Sequence, residues 1–194
     1  MKKIILIGAG GHARSCIDVI KELKKFKISY LLEKKITSSL KEFKKVVYDK
    51  KNLLKINKNV KNAFICFGQI QNRTNRQKVF EELKKLNYKF PIIKSHTAYI
   101  SKSSKILDGT IIMHRSIVNA NVSIGYNNII NTGSIIEHDV LIGNHNHIAP
   151  GAIINGGVKI GNNCFIGSGS IIRQGMKIKN NSFIQAGKVI LKNN

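Results

Sequence analysis

The fold of this chain is decided by the stretch 124–154, whose sequence is IGYNNIINTGSIIEHDVLIGNHNHIAPGAII. Every sixth residue in this stretch, starting with Ile124, is isoleucine. The same spacing joins sixteen β-branched residues in one register, from Ile100 to Ile190. In a chain that is 42% apolar, such a run arises by chance roughly once in a million trials. The six-residue period therefore predicts the structure of the whole second half.

A six-residue period matches neither the turn of an α-helix nor simple alternation along a β-strand. It fits a left-handed parallel β-helix of hexapeptide repeats, in which each hexad forms one side of a triangular prism. The repeating Ile or Val then points inward and stacks on its equivalents in neighbouring coils. Gly and Asn, which tolerate left-handed backbone angles, occupy the expected corners, as at Gly143 and Asn144. With three hexads in each coil, we expect about five coils.

The first half has the pattern of an α/β domain, in which buried strands alternate with amphipathic helices. The predicted elements are a strand at 3–7, a glycine turn at 8–12, a helix through Ile17, Ile20 and Leu23, strands at 28–32 and 63–67, and a helix at 73–86. Gly8 and Gly10 fit the dinucleotide-binding fingerprint, but Ala13 stands where its third glycine belongs. The turn therefore indicates either a phosphate site at a helix N-terminus or a tight connection in a small sheet. We predict a Rossmann-like domain at 1–92 and the β-helix at 93–194.

Composition limits the possible partners. The formal net charge is +23, and 24 of the 33 basic residues fall within the first 96 positions. These are mostly scattered lysines without an arginine cluster or an aromatic RNA-binding motif, so we do not predict nucleic-acid binding. A basic surface attracts anionic ligands, such as a nucleotide diphosphate or coenzyme A. The three cysteines have neither metal-ligand nor disulfide spacing, which predicts a reducing, cytoplasmic location and no metal. No apolar run is long enough for membrane insertion.

Histidines carry the chemistry of the repeat region. An interior of stacked isoleucine has no room for imidazole, so His114, His138, His145 and His147 are expected at corners or on outer faces. His138 lies between Glu137 and Asp139, and a carboxylate that holds one ring nitrogen makes the other a better base. An exposed histidine in a polar turn without function is the alternative interpretation. His147 precedes an inward isoleucine and is expected to face a ligand or a neighbouring subunit.

Several motifs carry a resemblance to a known family. The segments 131–139 (NTGSIIEHD) and 147–152 (HIAPGA) closely resemble bacterial sugar acetyltransferases of the sialic-acid O-acetyltransferase type. That family includes the nucleotide-sugar N-acetyltransferases. The segment 7–13 (IGAGGHA) is similar to the family's N-terminal turn, and the segment from Phe67-Gly68 to Arg76 to its second glycine segment. The resemblance covers essentially the whole chain and implies that 1–92 binds a nucleotide sugar and 93–194 transfers an acyl group.

The resemblance also implies roles for individual residues. His138 corresponds to the general base and Asp139 to the acid that increases its basicity. The residues that correspond to acetyl-CoA contacts are His147, Ser168 and Ala186, and those that correspond to substrate contacts are Gly10, Gly11, His12, Glu33, Lys34 and Gly68. Family members assemble as homotrimers with sites between subunits. The expected activity is acetyl-CoA-dependent N-acetylation, by direct transfer, of a UDP-4-amino-4,6-dideoxyhexose type of substrate for surface glycans.

Two other functions remain open on the sequence. One is O-acetylation of a sialic-acid-like nonulosonic acid, because an amine and a hydroxyl make similar demands on His138. The other is a non-catalytic trimeric scaffold. The chain also departs from the family pattern in having Lys34 and Lys35 where a second acid is common, Ser168 at a site that is usually apolar or Gly, and no Gly-x-Pro-Ala ending.

Overall fold

The computed structural model describes residues 1–37, 40–69 and 74–192. Arg73, where the sequence predicts the start of a helix, lies outside the described residues. The chain divides into two compact units, Met1–Gly68 with Lys78–Pro91, and Gln69–Gln77 with Ile92–Asn194. The sequence-based boundary between 92 and 93 stays a prediction. The short segment Gln69–Gln77, hereafter the 69–77 segment, groups with the second unit.

The first unit is a parallel α/β sheet with strand order β3-β2-β1-β4. The elements in chain order are β1 (Lys2–Ile7), α1 (Gly11–Glu22), β2 (Phe26–Glu33), β3 (Lys45–Val47), α2 (Lys50–Asn57), β4 (Asn62–Ile65) and α3 (Asn75–Lys85), of which the last begins in the 69–77 segment. Ile5 and Ile7 of β1 pack in one cluster with buried residues of α2 and α3, and the alternating Ile4 and Leu6 are fully buried as well. Burial on both sides is expected for a parallel sheet between helices. The predicted α/β class is confirmed.

Two elements of this unit were not predicted from the sequence, β3 and α2. Helix α2 begins after Asp49, whose side chain accepts a hydrogen bond from the Asn52 backbone N–H at 2.7 Å. This N-cap satisfies one of the helix's unpaired amide groups. The predicted strand 63–67 is shorter than expected, since β4 ends at Ile65.

The second unit contains a β-helix of two-residue strands. Its strands are β5 (Ile93–Lys94), β6 (Tyr99–Ile100), β7 (Lys105–Ile106), β8 (Ile111–Ile112), β9 (Ile117–Val118), β10 (Ser123–Ile124), β11 (Ile129–Ile130), β12 (Ile135–Ile136), β13 (Leu141–Ile142), β14 (His147–Ile148), β15 (Ile153–Ile154), β16 (Lys159–Ile160), β17 (Phe165–Ile166), β18 (Ile171–Ile172), β19 (Lys177–Ile178), β20 (Phe183–Ile184) and β21 (Val189–Ile190). Each strand pairs in parallel with the strand eighteen residues away, as Ile130 does with Ile148. Three hexads therefore make one coil, and the predicted left-handed β-helix is confirmed.

The predicted column of β-branched residues forms the core of the prism. From Ile100 onward, the second residue of each strand belongs to one apolar cluster, and Ile130, Ile136 and Ile148 have no exposed surface. Since side chains alternate along a strand, the first residue of each strand points outward. The inward column supplies the hydrophobic driving force for stacking the coils.

The corners repeat as regularly as the core. Every sixth residue from Gly109 to Gly187 has a positive φ, between 55° and 75°. Asp139 at φ 61° and His145 at φ 59° belong to this series. Gly143 was expected to supply such an angle, but its φ is not positive. A Cβ on Gly143 would lie 2.7 Å from the Gly161 carbonyl oxygen and would also meet the Asn162 side chain. The glycine is needed there for space between coils.

Two outer faces of the prism differ in chemistry. The face that carries β7, β10, β13, β16 and β19 is mainly polar, with lysine at three of its five outward positions. The face that carries β6, β9, β12, β15, β18 and β21 presents only apolar or aromatic side chains, and we call it the apolar face: Tyr99, Ile117, Ile135, Ile153, Ile171 and Val189. Within the ranges that the structure describes, no helix is long and apolar enough to cross a membrane.

Candidate functional site

His138 and Asp139 form a hydrogen-bonded pair at the corner that follows β12. The His138 Nδ1 lies 2.8 Å from the Asp139 Oδ2, and the two side chains are 57% and 58% exposed. The hydrogen bond from His138 is the main cause that holds the pKa of Asp139 below its usual value of 3.8, and a second bond from Asn121 adds to it. Asp139 therefore stays ionised at neutral pH and can only accept, so Nδ1 of His138 carries the proton. The other ring nitrogen, Nε2, keeps its lone pair and can act as a base.

The ring of His138 lies against the next coil at Gly156. A Cβ placed on Gly156 would be 2.6 Å from both the Cε1 and the Nε2 of the ring. Gly156 follows His138 by eighteen residues, which is one coil. The sequence interpretation did not single out this glycine, although adding eighteen to the position of the histidine would have found it.

The second acid beside His138 does not contact the ring. Glu137 accepts a hydrogen bond from the Asn119 side chain at 2.9 Å, one coil earlier. The side chains of 137 and 139 leave the backbone in different directions because Asp139 turns the corner with a positive φ. Of the two carboxylates that flank His138 in the sequence, only Asp139 is placed to orient it.

His147 is a buried outward residue of β14, with 6% of its surface exposed. The Asn131 Oδ1 accepts a hydrogen bond from the Thr132 N–H at 2.8 Å, and this turns the Asn131 amide nitrogen towards the His147 Nε2, 3.1 Å away. Nε2 is therefore an acceptor, and Nδ1 carries the proton and donates to the Gln69 carbonyl oxygen at 3.1 Å, which is closer than the Gln69 backbone nitrogen at 3.5 Å. The predicted contact between His147 and acetyl-CoA stays a prediction. In the structure both nitrogens of its ring have protein partners.

Gln69 and Arg76 are joined to the prism by buried polar contacts that the sequence did not reveal. The Gln69 Nε2 donates to the His145 carbonyl oxygen at 2.6 Å, and the Arg76 Nη2 donates to the Asn127 Oδ1 at 2.7 Å. Arg76 is only 1% exposed. The Asn127 amide nitrogen also lies 3.0 Å from the His145 Nδ1. Gln69 and Arg76 are more than fifty positions from the residues that they contact, so no local spacing pattern predicts these two contacts.

Ser168 and Ala186 stack at a different corner from His138. They are eighteen residues apart, and the Gly187 N–H donates to the Ser168 carbonyl oxygen at 2.8 Å. Both residues are exposed. Their corner follows the strands β17 and β20, whereas the corner of His138 follows β12. The apolar face separates the two corners within one chain. Their predicted role at acetyl-CoA stays a prediction.

The predicted substrate residues lie at one edge of the sheet in the first unit. Gly10 is the N-cap of α1, and helix residues Gly11 and His12 follow it, while Glu33 ends β2. Gly10 and Gly11 face open space, since a Cβ on either would meet nothing within 4 Å. Gly68 lies three residues beyond the end of β4, and Lys34 directly follows β2; both are exposed.

The parallel pairing of β1 with β2 and β4 places these segments at the same edge. The carboxyl edge of such a sheet, with a helix N-terminus beside it, suits a phosphate-bearing ligand. The role of each residue in substrate binding stays a prediction.

Comparison with known families identifies both halves of the chain. Residues 3–83 match the PglD N-terminal domain. Residues 139–174 match the bacterial transferase hexapeptide (six repeats), and residues 157–192 match the hexapeptide repeat of succinyl-transferase. No curated protein matches the chain in sequence.

Solved structures share this fold over the whole chain. The acetyltransferase domain of PglB from Neisseria gonorrhoeae is 27% identical, with 100% of this chain and 93% of that chain covered and a TM-score of 0.89. The same domain in complex with acetyl coenzyme A is 26% identical, with 99% and 92% covered and a TM-score of 0.91. PerB of Caulobacter crescentus, in complex with CoA and GDP-perosamine, is 24% identical, with 100% of this chain and 90% of that chain covered and a TM-score of 0.91.

The prism of hexapeptide coils matches the bacterial transferase hexapeptide and places the chain among hexapeptide-repeat transferases. The α/β domain that precedes the prism narrows the class further. The chain combines a PglD N-terminal domain with transferase hexapeptide repeats, and its structural neighbours PglB and PerB are of the PglD/NeuD type. The resemblance drawn from the sequence motifs is confirmed.

Proposed function

We propose that this protein is a cytoplasmic N-acetyltransferase that acetylates the amine of a nucleotide-linked amino sugar of the UDP-4-amino-4,6-dideoxyhexose type, for surface glycan biosynthesis. The structural neighbours are sugar acetyltransferases, with CoA or acetyl coenzyme A in their complexes, which supports acetyl-CoA as the acyl donor. The observation that carries the catalytic part of the proposal is the His138–Asp139 pair, in which Asp139 holds Nδ1 of the ring. The choice of an amine as acceptor is supported by the structural neighbour perosamine N-acetyltransferase in complex with GDP-perosamine.

In this proposal His138 is the general base. Its Nε2 takes the proton from the sugar amine as the amine attacks, and Asp139 stabilises the imidazolium that forms. Acetyl-CoA would supply the acetyl group from its thioester directly to the amine, without an acyl-enzyme. The carbon–sulfur bond would break, and CoA would leave as the free thiol after taking the proton from the His138 imidazolium. A positioned base of this kind contributes roughly 10²- to 10⁴-fold to the rate.

The exposed corner of Ser168 and Ala186 fits an extended cofactor, because small side chains leave the surface open beside the prism. We assign acetyl-CoA contacts to these residues and to His147. The nucleotide sugar is assigned to Gly10, Gly11, His12, Glu33, Lys34 and Gly68. Lysine at position 34 places a positive charge after β2, which suits an anionic nucleotide.

The proposed assembly is a homotrimer with the acyl-transfer site between subunits. The apolar face carries partly buried Ile135, Ile153 and Ile171 in one column, which is the kind of surface that a protein interface covers. This face lies between the corner of His138 and the corner of Ser168. Packing around it would bring the base of one subunit towards the cofactor corner of the next.

The activity is tested by incubating the protein with acetyl-CoA and a panel of UDP- and GDP-linked 4-amino sugars and nonulosonic acids, while the release of free thiol is followed. We expect an amino sugar to be consumed, and we expect His138→Ala to lower kcat at least 10²-fold. Gln174→Ala, at an exposed residue two coils further along the corner of His138, is the control. Consumption of a nonulosonic acid alone would show O-acetylation. If no acceptor consumes the thioester, or if His138→Ala equals the wild type, the proposal is wrong.

The assembly is tested by light scattering. Ile153→Lys on the apolar face is expected to yield monomers with no transfer activity. Leu141→Lys is the control, since Leu141 is a 42% exposed outward leucine on the mainly polar face. A wild-type monomer that turns over, or a trimer that survives Ile153→Lys, would contradict the intersubunit site.

A further inference from the structure

The backbone conformation at position 156 does not require a glycine. Its φ is not among the positive angles that turn the corners, which fall on Gly157 instead. The same position is occupied by Ala120 one coil before His138 and by Gln174 one coil after Gly156. Gln174 is exposed and carries a long side chain there. The corner therefore accepts a side chain in other coils.

The imidazole of His138 is what a side chain at 156 would meet. A Cβ would lie 2.6 Å from Cε1 and Nε2 and 3.3 Å from Cδ2, and these three ring atoms are its nearest neighbours. Ordinary van der Waals contact begins at 3.4 Å, so the ring would have to retreat. The backbone would not have to move, because the ring is the end of a half-exposed side chain.

We propose that Gly156 is a positioning residue for His138: the space left by its missing side chain holds the ring in the orientation that bonds Nδ1 to Asp139 and leaves Nε2 open. This inference rests on the proposed function for its catalytic consequence, but the geometry can be tested separately. A methyl group at 156 acts on the ring in two ways. It pushes the imidazole out of line with the carboxylate, and it occupies space beside the nitrogen that has to reach the acceptor.

The catalytic test is Gly156→Ala with Gln174→Ala as the matched control in the next coil. A displacement of a catalytic group by about 1 Å costs on the order of 10²-fold in rate. We therefore expect kcat to fall about 10²-fold in Gly156→Ala, while KM for acetyl-CoA changes less than twofold. Gln174→Ala is expected to match the wild type. Wild-type kcat in Gly156→Ala would overturn the inference.

The structural test needs no turnover. The hydrogen bond from His138 lowers the pKa of Asp139, so its loss in Gly156→Ala should raise that pKa towards the usual value. A ¹³C NMR titration of the Asp139 carboxyl measures this change. An unchanged Asp139 titration in Gly156→Ala overturns the positioning role, whatever the activity. If the wild type has no activity but the titration moves, the proposed function fails and the positioning of the ring stands.

A thermal double-mutant cycle provides a second structural test. In the His138→Ala background no ring blocks position 156, so Gly156→Ala is expected to raise Tm through the lower entropy of the unfolded chain. In the wild-type background the same substitution is expected to lower Tm or leave it unchanged, because the ring is displaced. Equal shifts in both backgrounds would overturn the inference.

Discussion

Gly143→Ala probes the spacing between coils, on which the whole prism depends. The new methyl group would lie 2.7 Å from the Gly161 carbonyl oxygen and 2.9 Å from its carbonyl carbon, and it would meet the Asn162 side chain. Backbone atoms of the next coil cannot turn aside as a side chain can. The substitution therefore has to separate the coils locally or distort the corner.

The expected loss in the free energy of unfolding of Gly143→Ala has two parts. Overpacking against fixed atoms costs about 1–3 kcal/mol. The displaced Asn162 side chain also loses its bond to the Asn144 N–H, where Oδ1 accepts at 2.6 Å. A hydrogen bond of this kind contributes about 1 kcal/mol, which brings the expected loss in the free energy of unfolding to about 2–4 kcal/mol.

Urea unfolding followed by circular dichroism, at one protein concentration, measures this loss. Asn162→Ala alone is expected to cost about 1 kcal/mol. The double variant is expected to cost no more than Gly143→Ala alone, since the clash with Gly161 remains and the bond is already lost. Lys159→Ala, on the outer surface, is the control. A loss below about 0.5 kcal/mol for Gly143→Ala, or strict additivity in the double variant, would refute the reasoning.

Three further predictions concern the catalytic pair, the first unit and the core. Asp139→Asn keeps a residue that tolerates the corner but removes the charge that orients His138, so kcat is expected to fall roughly ten- to a hundredfold in the thiol-release assay without loss of fold. Burial raises the pKa of Tyr88 from 10.0 to about 12. The neutral hydroxyl therefore contributes fully to stability below pH 10, and this contribution is lost as the pH rises towards 12. Urea unfolding at pH values from 7 to 11 should show the decline. Tyr88→Phe removes the decline due to this group and costs about 1 kcal/mol at neutral pH, because the hydroxyl donates to the Leu53 carbonyl oxygen. Ile148→Ala is expected to cost about 2–5 kcal/mol and Ile148→Val about 0.5–1.5 kcal/mol in the same urea assay.

The repeat region could be predicted almost completely because its information is local and periodic. One inward residue in six is enough to define the strands, the coil of eighteen residues and the core. The first unit was predicted less completely. Helix α2 is short and rich in lysine, and only the Asp49 cap and the spacing of Leu53 and Ile56 indicate it. Strand β3 has three residues, too few for a pattern.

The candidate site was predictable where its residues are neighbours in sequence. His138 and Asp139 are adjacent, and their hydrogen bond follows from that adjacency and from the corner. Gly156 could be identified only after the coil length of eighteen residues was known. The contact between His147 and Gln69 could not be predicted from the sequence, because Gln69 lies seventy-eight positions away and meets His147 only through tertiary folding.

The left-handed corner that holds Asp139 has a consequence for how such sites arise. A residue there needs a backbone angle that disfavours β-branched side chains and suits Gly, Asn and Asp. A carboxylate can therefore occupy an exposed corner at little conformational expense, as Asp139 does directly after the half-exposed His138. An exposed corner can therefore carry an acid at the turning position and a base at the position directly before it. In this chain Asn121, at φ 60°, occupies such a corner one coil before Asp139 and donates a hydrogen bond to its carboxylate.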